Sequence, residues 1–174
     1  GADLSGVDLS GASLRGARML GARLDGARLC NAVLENVDLT GNEMVGADLS
    51  GAYGLRCQLT GANLSRAVMR KVNLREADLL RANLAGADLE GAELGHCVLA
   101  GANLEKARLV ACDAQAADLR EANISGTVLE GVQLAGAQLA GLDFRTCTLG
   151  RAPMVRANLT GAIFTKLNLR NWRF

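Results

Sequence analysis

The chain has 174 residues, with 19 lysines and arginines against 18 acidic residues and a formal net charge of +1. This balance excludes a strong general attraction to nucleic acid or to anionic membranes. Glycine is abundant at 21 residues, whereas there is one proline and only five aromatic residues. Such a bias, without collagen or linker character, indicates an internal repeat.

From its first residue the chain divides into 35 successive five-residue units, in a register set by Leu4 that holds to Phe174. Leucine fills 25 of the 35 central positions, and alanine, cysteine or valine fills 30 of the 35 positions two residues earlier. A period of five would wind the leucines around every face of an α-helix, or alternate them between both faces of a strand. It fits a short extended side followed by a turn, with leucine and alanine inward and glycine often at the corner. Four such sides predict a coil of 20 residues.

Polar residues just before the central positions recur at this spacing and test the predicted coil. In neighbouring coils, equivalent residues stack about 4.8 Å apart. We therefore expect an asparagine ladder on one face, at Asn63, Asn83, Asn103 and Asn123. On the next face we expect a column of mostly alternating charge that also contains Val68, at Asp8, Arg28, Asp48, Asp88 and Arg108. Both columns are interpreted as solvated ladders that stabilise the stack.

Units such as GADLS, GANLS, EADLL and GANLE resemble the pentapeptide-repeat family, A(D/N)LXX, and the resemblance covers the whole chain. It implies an all-β fold, a right-handed quadrilateral β-helix of about nine 20-residue coils. We predict a single solenoid domain over residues 1–174, with residues 165–174 as a C-terminal cap or dimer contact.

Departures from the pattern are the places where a specific site could lie. Gly54 and Ala114 are central residues without a large side chain, and they predict a local bulge filled by Leu55, a small packing gap, or a ligand cavity. Four cysteines at alanine positions are predicted to be buried: Cys57, Cys97, Cys112 and Cys147. Cys30 should point outward and is the candidate reactive thiol, and His96 occupies a corner usually held by glycine. No nucleophile–base set is present, so we expect no catalytic, metal or cofactor site.

The C-terminal end carries a cluster of aromatic residues. Phe144 and Phe164 are central residues that should stack, Phe174 should lie above Met154, and Trp172 replaces an alanine in a coil too narrow for an indole. These residues predict a cap, or else a homodimer contact of the kind that C-terminal aromatics form in gyrase-inhibiting family members. The sequence has no acid after Asp143, so a basic patch is predicted at Arg145, Arg151, Arg156, Lys166, Arg170 and Arg173.

The repeat is typical of a non-catalytic scaffold that binds another protein, whose identity the sequence does not indicate. One alternative is mimicry of DNA toward DNA gyrase, as in quinolone-protecting family members, but Arg28 and Arg108 interrupt the acidic column that mimicry needs. Another is a module of a larger bacterial protein, such as a secretion-system accessory or effector. We expect no direct DNA binding, no cofactor and no membrane span. Gly1 stands in mid-pattern without a signal peptide, so the expectations are a bacterial cytoplasmic location and a processed or excised chain.

Overall fold

The computed structural model describes residues 1–165 and 167. In this part of the chain there is no helix, and every extended side except that of Pro153 contributes one β-bridge residue instead of a longer strand. All bridges are parallel and join residues 20 apart, from Asp3 and Arg23 at one end to Asp143 and Ile163 at the other. The chain folds as a right-handed quadrilateral β-helix, which confirms the predicted fold class. None of the described residues belongs to a helix that could cross a membrane.

The four faces are numbered here by the bridge residues of the first coil. Face 1 begins at Asp3, face 2 at Asp8, face 3 at Ser13 and face 4 at Arg18. Each corner is named by the two faces that it joins, so corner 2–3 joins faces 2 and 3. A residue and the one 20 positions later therefore lie on the same face or corner in adjacent coils.

Four backbone hydrogen bonds recur in the units, and three of them hold each coil to its neighbours. The N–H of the central residue donates to the next coil, as from Leu64 to the Asn83 carbonyl at 2.7 Å, and so does that of the second corner residue, as from Arg66 to Ala85 at 2.9 Å. The N–H before the central residue donates to the previous coil, as from Asn63 to Asn42 at 2.9 Å. The fourth bond closes the turn, from the Ala67 N–H to the Leu64 carbonyl at 3.1 Å. Coil closure and coil stacking thus use the same five residues.

The second corner residue of the turn has a positive φ, which explains why glycine is favoured there. Seventeen glycines and thirteen other residues adopt this left-handed conformation, among them His96 with a φ of 60°. A positive φ at this position is the mark of a type II turn. Side chains other than glycine raise the energy of the conformation by about 1–2 kcal/mol. The prediction that glycine marks the corners is confirmed.

Leucine and alanine point inward and form one continuous core along the rod. Leu64 and Ala62 are completely buried, and the same holds for most central and alanine positions between Leu24 and Met154. Cys57, Cys97, Cys112 and Cys147 are buried in that core and are not paired in disulfides, as predicted.

Gly54 keeps the register of its face, so the predicted bulge at Leu55 is wrong. Its N–H donates to the Asn73 carbonyl at 2.7 Å, and Tyr53 forms the regular bridges to Val33 and Asn73. A Cβ atom at Gly54 would lie 2.8 Å from Cδ2 of Leu74, which shows that the side chain of the next coil occupies this space. Ala114, the other central residue without a large side chain, is fully buried.

Candidate functional site

Face 1 carries the asparagine ladder that the spacing predicts. Each amide Nδ2 donates to the Oδ1 of the asparagine one coil earlier, over 3.1 Å from Asn83 to Asn63 and 3.2 Å from Asn103 to Asn83. The chain continues from Asn123 to Asn103 at 3.1 Å and ends where Asn63 donates to the Glu43 carboxylate at 2.7 Å. All four amides therefore point the same way, toward a negative charge.

The predicted charge column on face 2 is paired only in part. Arg28 lies 3.6 Å from Asp8, and Arg108 lies 3.6 Å from Asp88. Asp48 instead accepts bonds of 2.9 and 2.6 Å from the backbone and hydroxyl of Ser50. Since Val68 stands between the two paired segments, the column does not form one continuous ladder.

Corner residues complete the charge network around Asp88. Arg70 donates to Asp88 at 2.7 Å, and Arg108 donates to Glu90 at 2.6 Å. Burial, the largest single influence, would raise the pKa of Asp88, but the hydrogen bonds from Arg70 and from the Glu90 backbone and the charges of Arg70 and Arg108 together lower that pKa below its ordinary value. Asp88 is therefore firmly ionised, and two arginines share its charge.

Corner 2–3 contains a groove of about 650 Å³ that runs over several coils. Its lining combines small side chains with two adjacent cations, as follows: Cys30, Asn31, Ser50, Gly51, Arg70, Lys71, Glu90, Gly91 and Ala111. The stem of Lys71 lies on Gly91, where a Cβ atom would be 3.4 Å from the lysine Cγ. Among the described residues, no acidic group is paired with Lys71. The sequence pattern does not reveal this groove because its residues come from five different coils.

The structure disfavours Cys30 as a reactive thiol. The side chain is half-buried at the edge of the groove, with Sγ 3.9 Å from the Asp48 carbonyl oxygen. Partial burial, together with the nearby Asp48 carboxylate, raises the pKa of the Cys30 thiol, so the thiolate that reactivity needs is scarce at neutral pH. Burial raises the pKa of Cys97 and of Cys112 to about 12. His96 lies on corner 3–4, and the described residues contain no cluster suited to a metal ion.

The two described aromatic residues of the C-terminal end stack on face 1. The ring centroids of Phe144 and Phe164 are 4.6 Å apart and the planes differ by 8°. Phe144 is buried and Phe164 partly buried. Trp172 and Phe174, the other members of the predicted cap or dimer contact, lie outside the described residues.

The predicted basic patch does not form one surface in the described part of the chain. Arg145, Arg151 and Arg156 lie on three successive corners, and Arg145 is bonded to Asp143 through both carboxylate oxygens at 2.9 and 2.6 Å. The hydrogen bonds from Arg145 lower the pKa of Asp143 to about 2. The five-residue period places consecutive units on different sides, which is why neighbours in sequence separate. The other predicted members, Lys166, Arg170 and Arg173, lie outside the described residues.

Two polar residues in alanine positions are buried, and the sequence analysis did not single them out. Asn42 donates to the Met19 carbonyl at 2.8 Å and accepts from the Gly21 N–H at 2.9 Å. Thr127 donates to the Leu104 carbonyl, 23 residues earlier, at 2.8 Å. Cys97 and Cys112 make the equivalent bond, each to the carbonyl of the residue 23 positions before it. A polar residue in the alanine column was the available signal, and it marks an extra bond between coils.

The family model for pentapeptide repeats matches the chain in eight copies, over residues 1–31, 21–53, 56–91, 78–113 and 112–151. A search of curated protein sequences found no match.

Three solved structures illustrate what the chain is similar to. HetL, a pentapeptide repeat protein involved in heterocyst differentiation regulation in the cyanobacterium Nostoc sp. strain PCC 7120, is 27% identical over 98% of this chain and 88% of its own, with a TM-score of 0.32. QnrB1, a plasmid-mediated fluoroquinolone resistance protein, is 18% identical over 99% and 93%, with a TM-score of 0.43. A pentapeptide repeat protein of the Arabidopsis thaliana thylakoid lumen is 22% identical over 79% and 68%, with a TM-score of 0.23. These scores support no transfer of function.

Proposed function

Because the chain belongs to the pentapeptide repeat family, we propose that it is a non-catalytic scaffold that binds another protein through the groove of corner 2–3. The partner contributes an extended, acidic segment that lies along the rod axis. The observation that carries this proposal is the pair of adjacent cations in the groove, Arg70 and Lys71, of which Lys71 has no acidic partner among the described residues.

The charges around the groove favour an anionic partner. Three cations, Arg70, Lys71 and Arg108, stand against the two carboxylates of Asp88 and Glu90. Both carboxylates are already bonded to arginine, so they offer little repulsion to an incoming acidic side chain. Arg70 uses its Nε for Asp88, and a guanidinium has further N–H donors for a second carboxylate.

The small residues of the groove favour an extended backbone over a bulky ligand. Ser50 and Ala111 add only short side chains, and Gly51 and Gly91 add none of their own, so that Asn31 and the stem of Lys71 pack flat over these glycines. A peptide can therefore lie close to the rod, where its carboxylates reach the cations. Bonds between charged groups are stronger than neutral ones and give such an interface its specificity.

The proposal is tested by affinity capture from an extract of the source cells, followed by quantitative mass spectrometry. The groove variant is Arg70→Glu with Lys71→Glu. The matched control is Arg66→Glu with Lys106→Glu on corner 1–2, which makes the same change in charge at two left-handed corner residues whose stems lie on glycines, as that of Lys71 does. We expect at least one protein to be captured by wild type and by the control but lost from the groove variant. Equal loss from both variants, or equal retention by both, would contradict the groove as the binding site.

A further inference from the structure

The regular bridges between coils are interrupted on two opposite faces at the same level of the rod. On face 1 the bridges run in an unbroken series from Asp3 to Asn123 and resume between Asp143 and Ile163. On face 3 they end at Gln133. Within the described residues, no bridge joins Asn123 to Asp143 or Gln133 to Pro153, whereas Val128 and Thr148 on face 2 remain paired.

Proline accounts for the gap on face 3. At the equivalent position one coil earlier, the Gln133 N–H donates to the Cys112 carbonyl at 2.8 Å. Pro153 has no N–H and cannot make the corresponding bond to Val132. It still accepts from the Leu134 N–H at 3.0 Å, so the coils touch here but are joined by one bond fewer.

The two corners beside this level also depart from the pattern. Thr146 and Arg151 occupy the second corner position but lack the positive φ of the other described residues at that position. The hydroxyl of Thr146 accepts the Gly126 N–H at 3.2 Å, whereas the equivalent Lys106 N–H donates to a backbone carbonyl at 2.9 Å. A side-chain bond thus replaces a backbone bond between the coils.

Beyond the gap the regular bonds of face 1 resume among the described residues. Phe144 and Ile163 are joined by a backbone bond of 3.0 Å, and the Ile163 N–H donates to Leu142 at 2.8 Å. The stacked rings of Phe144 and Phe164 both lie on this side. Fewer backbone bonds therefore cross the level between residues 123–133 and 143–153 than cross the level just below it, between residues 103–113 and 123–133.

We propose that this level is a seam, defined by residues 123–133 on one side and 143–153 on the other. Residues 143–165 open across it as one cooperative unit while the rest of the rod stays folded. Opening exposes the backbone edge of the preceding coil between Asn123 and Gln133. In a solenoid, stability is close to a sum of interfaces between neighbours, so a weakened interface sets where partial unfolding starts. This inference stands apart from binding at the groove of corner 2–3.

Native-state amide exchange, followed residue by residue by NMR, tests the seam. Two amides donate across it, from Thr148 to Thr127 and from Asn158 to Ala137, and Ile163, which donates to Leu142, reports on the next level of the rod. The amides of Val128, Gln133 and Gln138 donate across the level below and serve as the reference. We expect Thr148, Asn158 and Ile163 to exchange through one shared opening that is faster than the opening of the lower three. Graded exchange that rises steadily toward Ile163 is ordinary end fraying and would overturn the proposal, as would equal protection on both sides.

Two variants test whether Pro153 and the corner at Thr146 weaken the seam. Pro153→Asn supplies the missing N–H, and Thr146→Gly permits the regular left-handed corner. Pro153→Asn should slow exchange at Thr148 and Asn158 by about fivefold, the effect of roughly one added backbone bond. Thr146→Gly should slow it less, because the regular backbone bond then replaces the side-chain bond that Gly126 now donates to Thr146. Gln133→Asn is the control, because it changes the same column of face 3 without adding a backbone donor. If Pro153→Asn does not fold, Thr146→Gly still decides: unchanged exchange in that variant overturns the proposal.

Discussion

The side-chain amide of Asn103 donates to that of Asn83 over 3.2 Å, and the Asn83 oxygen also accepts the backbone N–H of Ala85 at 3.2 Å. One side chain thereby joins two coils and fixes a turn of its own coil. Hydrogen-bonded amides in a row polarise one another and strengthen the chain of bonds.

Substitution at the middle of the ladder should cost more than substitution at its end. Asn83→Ala removes its bond to Asn63, the bond from Asn103 and the turn bond from Ala85, whereas Asn123→Ala removes one bond between coils and one turn bond. We expect the free energy of unfolding to fall by about 2–3 kcal/mol for Asn83→Ala and by about 1–2 kcal/mol for Asn123→Ala. Urea titration measures both values. Equal losses would show that the ladder is not a connected chain.

A left-handed corner occupied by alanine should gain stability from glycine. Ala116 has a φ of 54°, so Ala116→Gly relieves strain, and we expect a gain of about 1 kcal/mol. The control is Ala100→Gly at the first corner position, which has no positive φ. There the added freedom of the unfolded chain should cost about 0.4–1 kcal/mol. Thermal unfolding shows whether each variant is more or less stable than wild type. A loss of stability in both variants would contradict the corner geometry.

Leu74 fills the space that a central side chain at position 54 would take. Leu74→Ala should therefore cost about 2–5 kcal/mol, and Gly54→Leu about 1–3 kcal/mol or more from overpacking. The double variant exchanges the large and small residues between adjacent coils. We expect it to be more stable than either single variant, by urea unfolding. Simple addition of the two losses would mean that these residues do not share one space.

Acid should weaken the C-terminal end through Asp143. Its folded pKa is about 2 because Arg145 holds the carboxylate, whereas the ordinary value is 3.8. A lowered carboxyl pKa stabilises the fold at pH values above 3.8, and this contribution disappears as the pH falls through about 2. Asp143→Asn should therefore lose less stability than wild type between pH 4 and pH 2. Parallel pH profiles for the two proteins would contradict the pairing with Arg145.

The fold follows from the sequence because one physical constraint repeats. Leu64 and Ala62 face inward, as their equivalents do in the other coils of the same narrow core, so the five-residue period fixes the sides and the 20-residue spacing fixes the ladder. The bulge at Gly54 was a wrong prediction because it considered one coil alone, whereas Leu74 of the next coil supplies the missing volume.

The groove and the pairing of charges could not be predicted in the same way. Whether Arg70 bonds to Asp88 or to another acid depends on side-chain conformations across two coils, which the repeat does not specify. Arg145 joined the predicted basic patch by its position after the last acid, but its nearest partner is that acid, Asp143. The bond missing at Pro153 could have been predicted from the sequence, since this residue is the only proline and stands where other residues donate an N–H between coils.

The groove of corner 2–3 is tested most directly by the affinity of a captured partner, measured by calorimetry for wild type, for Arg70→Glu with Lys71→Glu, and for Arg66→Glu with Lys106→Glu. We predict that the dissociation constant rises at least about tenfold for the groove variant, because charge-assisted bonds are lost, and changes less than about threefold for the control. A groove variant that binds as tightly as wild type, or a control that weakens binding equally, would contradict the assignment of this groove as the binding site.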